Sequence, residues 1–258
     1  MEQVKPEEVG LSSTRLARID DHLRERYIEP GKISGAYTLV ARRGQVAHDS
    51  VLGHMEMEQK RPLQEDAIFR IYSMTKPITS VATMMLYERG LFQLRDPVHK
   101  FIPAFAKQGV FKMGNYPNFL TEPPSRPMRI KDLLCHMSGL TYGFMHRTPV
   151  DAGYRKAGLD GARSSGNLEE TIEKIASLPL EFSPGEAWNY SMATDVLGYL
   201  VQVVSGKPFE QFLHEEIFEP LGMRDTDFFV PPDKQPRLPA CYERRLGRKL
   251  ALQDDPET

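Results

Sequence analysis

"FRIYSMTKPITS", residues 69–80, sets a serine and a lysine three positions apart at the mouth of a helix. From Ile78 onward, Val81, Ala82, Met85 and Leu86 keep helical spacing, and Gly90 stands where a helix stop is expected. Residues three apart on a helix share a face, so Ser73 and Lys76 can meet. A neutral lysine can take the proton of a serine hydroxyl, and the N–H groups of a helix N-terminus favour a developing oxyanion. Pro77 opposes helical geometry at Lys76 and lacks an N–H, so a distorted first turn is expected. Ser73 begins the only Ser-x-x-Lys of the chain, yet about one such match arises by chance in a chain this long. A capping serine beside a solvated lysine accounts for the pair equally well until a second element is found.

Upstream, Ser12 or Ser13 can cap a helix whose face carries Leu16, Ile19 and Leu23, ending before Pro30 and Gly31. "ISGAYTLVARRGQVAHDSVLG", residues 33–53, reads as two strands joined at Arg43-Gly44. "AIFRIYS", residues 67–73, reads as a third extended piece leading into the Ser-x-x-Lys. Downstream, "GLFQLRDPVHKFIPAF" predicts a turn and a short helix, and "MRIKDLLCHMSGL" a short helix stopped at Gly139. The stretch 141–167, rich in Gly, Arg and Ser, predicts a long loop. Helices are expected over 168–177, 193–205 and 208–217. Strand signals thus concentrate before residue 73 and helix signals after it. Three regions follow: 1–72 as the N-terminal part of an α/β domain, 73–225 as a mainly helical region, and 226–258 as a segment returning towards the α/β domain.

Composition narrows the function. A formal net charge of −2 over 258 residues provides no basic field for nucleic acid. "MEQVKPEEVG" has neither the cationic start nor the apolar stretch of a signal peptide, and no run of 18 apolar residues occurs. A cytoplasmic protein without a membrane partner is expected. Cys135 and Cys241 lack metal-ligand spacing, so neither a metal nor another cofactor is implied. No Gly-x-Ser-x-Gly elbow is present, and His136 reads as structural.

The second element is "PGEAWNYSMATDVLGYLVQVVSG", residues 184–206. With "IYSMTKPITS", "DLLCHMSGL", "PLEFSPGEAWNYS" and "IFEPLGMRDT", the chain resembles the serine hydrolases of the penicillin-recognising, class C β-lactamase-like fold. The resemblance implies an α/β fold: an antiparallel sheet flanked by helices and a mainly helical lobe, with the active site in the cleft between them. It also implies that Ser73 is acylated and that Tyr190, from a Tyr-x-Asn element, works beside Lys76. A phenol near cationic groups loses its proton more readily and can relay it to a leaving group.

Met192 stands where that element has asparagine, and a thioether offers apolar contact rather than an amide. "YSMATDVLG" is closer to the carboxylesterase and acyltransferase branch of the family. The expected function is therefore a serine carboxylesterase or acyltransferase on a small ester, with Met192, Trp188 and Tyr72 lining the substrate side. A β-lactamase or D-alanyl-D-alanine peptidase is the alternative within the family, and a non-catalytic sensor on the same fold is the alternative outside it. The resemblance further implies a Lys-, His- or Trp-x-Gly on a late strand, supplying a second oxyanion N–H. "FFVPPDKQPRLPACYERRLGRKLALQDDPET" shows no such motif and no strands for it. A sheet left incomplete exposes backbone and apolar surface, so a further polypeptide segment or chain completing it is expected.

Overall fold

In the computed structural model, which describes residues 1–159, 166–245, 247 and 250–254, the first helix starts at a serine cap. Ser12 Oγ accepts from the Arg15 N–H at 3.4 Å, and α1 runs over Ser13–Leu23 before a π-helical turn at Arg24–Ile28. Leu16, Ile19 and Leu23 form its half-buried face. β1 (Gly35–Arg42) and β2 (Gln45–Glu56) pair antiparallel through Arg43 and Gly44, whose φ values of 55° and 76° are both positive. That combination suits the two-residue turns whose twist matches flanking strands. β3 (Arg61–Pro62) joins the far end of β2, giving a sheet of order β1-β2-β3.

"AIFRIYS" forms no strand. Ile68 N–H bonds the Arg237 carbonyl at 2.8 Å and Arg70 the Pro239 carbonyl at 2.7 Å, so the segment is tied to the tail rather than to the sheet. The tail itself departs from expectation: residues read as strandless form a hairpin of two later strands, Cys241–Arg244 and Leu250–Asp254. These parts make up one compact unit, Met1–Arg70 with Asp227–Thr258; the other unit is Ile71–Thr226.

In the second unit α2 (Thr75–Glu88) packs against α6 (Ala193–Ser205). Val196, Leu197, Leu200 and Val201 of α6 are fully buried, a stripe at helical spacing that meets Ala82 and Leu86 of α2 in one core. A hairpin of β4 (Val110–Asn115) and β5 (Asn118–Glu122), unread in the sequence, turns at Tyr116-Pro117. Its Phe119 ring lies against Gly153, where a β-carbon would stand 3.0 Å away.

The helix α3 covers only Ile130–Leu134 and stops well before Gly139. Stretch 141–167 is not one loop: a 3-10 turn at Gly143–Met145 precedes α4 (Pro149–Lys156), and residues 160–165 lie outside the described residues. Thr148 and Asp151 cap α4 reciprocally, with Pro149 at its first position. α5 (Leu168–Ser177) starts at an Asn167 cap, and α7 (Phe209–Leu213) continues as a π turn to Phe218. Among the described residues no helix is long and apolar enough to cross a membrane.

Candidate active site

Ser73 lies in the 3-10 turn Tyr72–Met74, which feeds directly into α2. Tyr72 has φ 42°, left-handed backbone that a β-carbon disfavours. The turn is closed by the Met74 N–H on the Ile71 carbonyl at 2.8 Å. Pro77 is the third residue of α2, where a helix leaves the N–H unpaired in any case. The irregularity expected from Pro77 therefore sits ahead of the helix, and Lys76 stays on its first turn.

Tyr190 is delivered by the segment that enters α6. Four backbone bonds zip this segment along residues 136–141: Glu181 N–H to Gly139 O at 2.8 Å, Gly185 N–H to Met137 O at 2.8 Å, Asn189 N–H to His136 O at 2.9 Å and Met192 N–H to Thr141 O at 3.2 Å. The approach is close at Gly139, whose φ is 85° and whose added β-carbon would fall 2.3 Å from the Phe182 carbonyl oxygen. Buried Asn189 fixes the same segment from its side chain. Its Nδ2 donates to Leu140 O at 2.9 Å and Glu181 Oε2 at 3.3 Å, and its Oδ1 accepts from Arg147 Nη2 at 2.6 Å.

The result is a tight polar cluster. Ser73 Oγ lies 2.6 Å from Tyr190 Oη and 3.2 Å from Lys76 Nζ. Lys76 Nζ stands 4.9 Å from the Tyr190 ring centre and 5.5 Å from that of Tyr142. Aromatic rings run on either side of Tyr190: His136 at 4.9 Å with Trp188 beyond it, and Tyr142 at 5.3 Å with Phe144 stacked at 4.7 Å. His136 Nδ1 is 3.3 Å from Ser191 Oγ.

Burial pushes the Tyr190 hydroxyl up, but hydrogen bonds from Lys76 and Ser73 and the Lys76 charge outweigh it, so its pKa is lowered. Burial raises the Asp195 carboxyl, against the pull of the Lys76 charge. Tyr142 is itself raised, by burial first and then by Asp195. His136 is lowered by burial and by the Lys76 charge. A serine hydroxyl, a cation and a phenol prone to ionise thus share one point, which is an arrangement able to activate a nucleophile.

Ser73, Lys76 and Tyr190 are brought together. Trp188 and Tyr72 are 66% and 59% exposed, the first in the aromatic row and the second next to Ser73 in the chain. Met192 is not where a substrate contact was expected: at 4% exposure it caps α6 and packs in the core, where an apolar thioether is favoured. Asp195 and Tyr142 escaped the sequence reading. The only local signal for Asp195 was a lone carboxyl inside the apolar run "MATDVLGYLV". Among the described residues no group of three or more His, Cys, Asp or Glu side chains is placed to hold a metal ion.

A family model described as Beta-lactamase matches residues 20–257. The chain belongs to the beta-lactamase family. Its fold is accordingly β-lactamase/transpeptidase-like. Within this family, a protein of Mycobacterium tuberculosis is 35% identical over 227 residues, 88% of this chain and 55% of that protein. Esterase EstB of Burkholderia gladioli is 32% identical over 225 residues, 86% of this chain and 54% of the esterase. The solved structure of EstCE1, described as a hydrolase with promiscuous acyltransferase activity, is similar with a TM-score of 0.80 at 28% identity, covering 94% of this chain and 60% of that one. The chain therefore spans 55% and 54% of those two relatives' own lengths.

Proposed function

We propose that this chain carries the chemistry of a serine esterase or acyltransferase acting on small esters, with Ser73 as nucleophile and Tyr190 with Lys76 as its proton-handling pair. The observation that supports it most is the placement of Ser73 Oγ within hydrogen-bond reach of both Tyr190 Oη and Lys76 Nζ. Relatives that include an esterase and a hydrolase with acyltransferase activity agree in reaction class.

In the proposed cycle the Tyr190 phenolate, stabilised by Lys76, takes the Ser73 proton as Oγ bonds to the ester carbonyl carbon. The carbonyl electron pair moves onto oxygen, and the Ser73 N–H faces the developing charge. Collapse breaks the bond to the alkoxy oxygen, which takes the proton from Tyr190 and leaves as an alcohol. Water or a second alcohol then attacks the acyl-serine, with Tyr190 again accepting a proton; the bond between the acyl carbon and Ser73 Oγ breaks, Oγ takes that proton from Tyr190, and an acid or a new ester departs. A base placed in this way contributes about 10²–10⁴-fold. Tyr72 and Trp188 flank the substrate in this reading.

Labelling tests the assignment. A fluorophosphonate should modify Ser73, located by peptide mass, and Ser73→Ala should abolish both labelling and turnover of a short p-nitrophenyl ester. An adduct on another serine, or an Ala variant with most of the rate, overturns it.

A further inference from the structure

His136 grips three successive residues of the segment that delivers Tyr190. Its carbonyl accepts the Asn189 N–H at 2.9 Å, its ring centre lies 4.9 Å from that of Tyr190 with the planes 47° apart, and its Nδ1 is 3.3 Å from Ser191 Oγ. Ser191 is fully buried, so its hydroxyl has no solvent to turn to. The His136 N–H bonds the Leu133 carbonyl at 3.2 Å, which ties the residue back to α3. Its backbone is left-handed, with φ 54°, a conformation that a non-glycine residue keeps only where its surroundings over-determine it. The proposed cycle gives this residue no task.

We propose that His136 is a positioning residue: its ring, clamped at Ser191, fixes the Tyr190 ring so that the hydroxyl meets Ser73 and Lys76. The inference rests on the esterase reading above. Tyr190 Oη stands 2.6 Å from Ser73 Oγ at the far end of a side chain with two rotatable torsions. The rings of His136, at 4.9 Å, and Tyr142, at 5.3 Å, oppose that rotation, and both distances are those of directly packed aromatics. Without the imidazole the phenol can swing away, and a displacement of about 1 Å at a reacting group costs about 10²-fold.

The ionisation of Tyr190 reports where its hydroxyl stands. Burial pushes it up, yet Lys76 and Ser73 bring it below its usual value, with the Asp195 charge acting in the raising direction. The other titratable groups facing it are Tyr142, which burial pushes further from ionising, and His136, which burial and the Lys76 charge hold towards its neutral form. Removing a neutral imidazole takes no charge from the site. If the hydroxyl stays beside Lys76, the lighter burial leaves the ionisation unmoved or lowers it. If the hydroxyl leaves Lys76, the ionisation rises.

His136→Asn keeps the backbone, because asparagine accepts left-handed geometry. It also keeps an amide where Nδ1 faces Ser191, but has no ring to press on Tyr190. His136→Gly, free in the same backbone, serves if the Asn variant does not fold. In the variant the Tyr190 ionisation should rise towards the usual tyrosine value of about 10. Tyrosinate absorbance, titrated as the difference between each protein and its Tyr190→Phe counterpart, reads this without turnover. On a p-nitrophenyl ester kcat should fall about 10²-fold with KM within about twofold. In the Tyr190→Phe background the same substitution should change the residual rate by less than about twofold, because His136 acts through the lost hydroxyl.

An unmoved or lowered Tyr190 ionisation in the folded variant overturns the inference. So does an equal fractional loss of rate in both backgrounds, which is the mark of a merely structural residue. Fluorophosphonate labelling of the same preparations keeps the two ideas apart. Labelled Ser73 in the parent protein with an unmoved titration in the variant overturns the inference alone. Failure to label Ser73 in the parent protein, with the titration raised in the variant, overturns the esterase reading alone.

Discussion

Tyr190→Phe removes one oxygen from the site and nothing else. The lost hydroxyl lies 2.6 Å from Ser73 Oγ, whereas the ring contacts with His136 at 4.9 Å and Tyr142 at 5.3 Å remain available to phenylalanine. Two magnitudes follow. As the base, the hydroxyl should be worth about 10³-fold in kcat, the middle of the range for general base catalysis, or about 4 kcal/mol of barrier. As a hydrogen bond in the folded protein it is worth only about 1 kcal/mol, which for a chain of this size moves Tm by about 2–4 °C. The variant should therefore stay folded, bind ester with a similar KM and turn over about a thousandfold slower.

The pH profile carries its own sign. Tyr190 ionises below its usual value of 10, and in the proposed cycle its working form is the deprotonated one. The rate of the parent protein should therefore fall as pH drops through that ionisation. The Phe variant, having no such group, should lose that limb. Initial rates on a p-nitrophenyl ester from pH 5 to 10, beside thermal melts of both proteins, measure all of this. A folded Phe variant that keeps more than about a tenth of kcat, or that keeps the acid limb, would refute the reasoning.

Lys76→Arg keeps a cation near the Tyr142 and Tyr190 rings but replaces a compact ammonium, 3.2 Å from Ser73 Oγ, with a larger planar guanidinium. Turnover should drop about 10²-fold as the support of the Tyr190 phenolate is displaced, and a near-normal rate would show that any cation at this position suffices. Asp151→Asn tests stability away from the chemistry. Asp151 is fully buried and accepts from the N–H groups of Arg147 at 2.6 Å and Thr148 at 2.9 Å and from Arg155 at 2.9 Å. Burial works to raise its pKa, yet these donors lower it overall. A lowered carboxyl stabilises fully above its unfolded value near 4, and that contribution is lost as pH falls through the folded value. The Asn variant should cost about 2–3 kcal/mol at neutral pH and show a smaller loss of Tm between neutrality and pH 3. Equal acid sensitivity in both proteins would show that the cap contributes nothing.

Elements with a strong local period were legible before any coordinates: α2 from its apolar spacing, the β1–β2 hairpin from alternation around Arg43-Gly44, and α5 and α6 from capping and periodicity. The i, i+3 spacing likewise made the meeting of Ser73 with Lys76 readable. The hairpin β4–β5 was not, because "VFKMGNYPNFLTE" alternates weakly and its Phe111 and Phe119 gain their meaning only by packing on each other at 5.8 Å. Helix α4 was hidden by Gly- and Arg-rich surroundings that outweighed a sound Thr148–Asp151 capping box. The burial of Met192 was hidden for a related reason: side-chain direction at a helix entrance is set by the core it meets, which sequence spacing does not encode. Asp195 and Tyr142 are neighbours through tertiary packing alone.

With Ser73 as the proposed nucleophile, the left-handed backbone at Tyr72 couples durability to turnover at one residue. A non-glycine side chain with φ 42° costs about 1 kcal/mol or more, and glycine or asparagine would release that cost. A lineage selected only for heat resistance is thus expected to drift towards those residues at position 72. The same release would let the turn that presents Ser73 sample other geometries. A population selected for catalytic speed should keep a bulky residue there and accept the lower melting point.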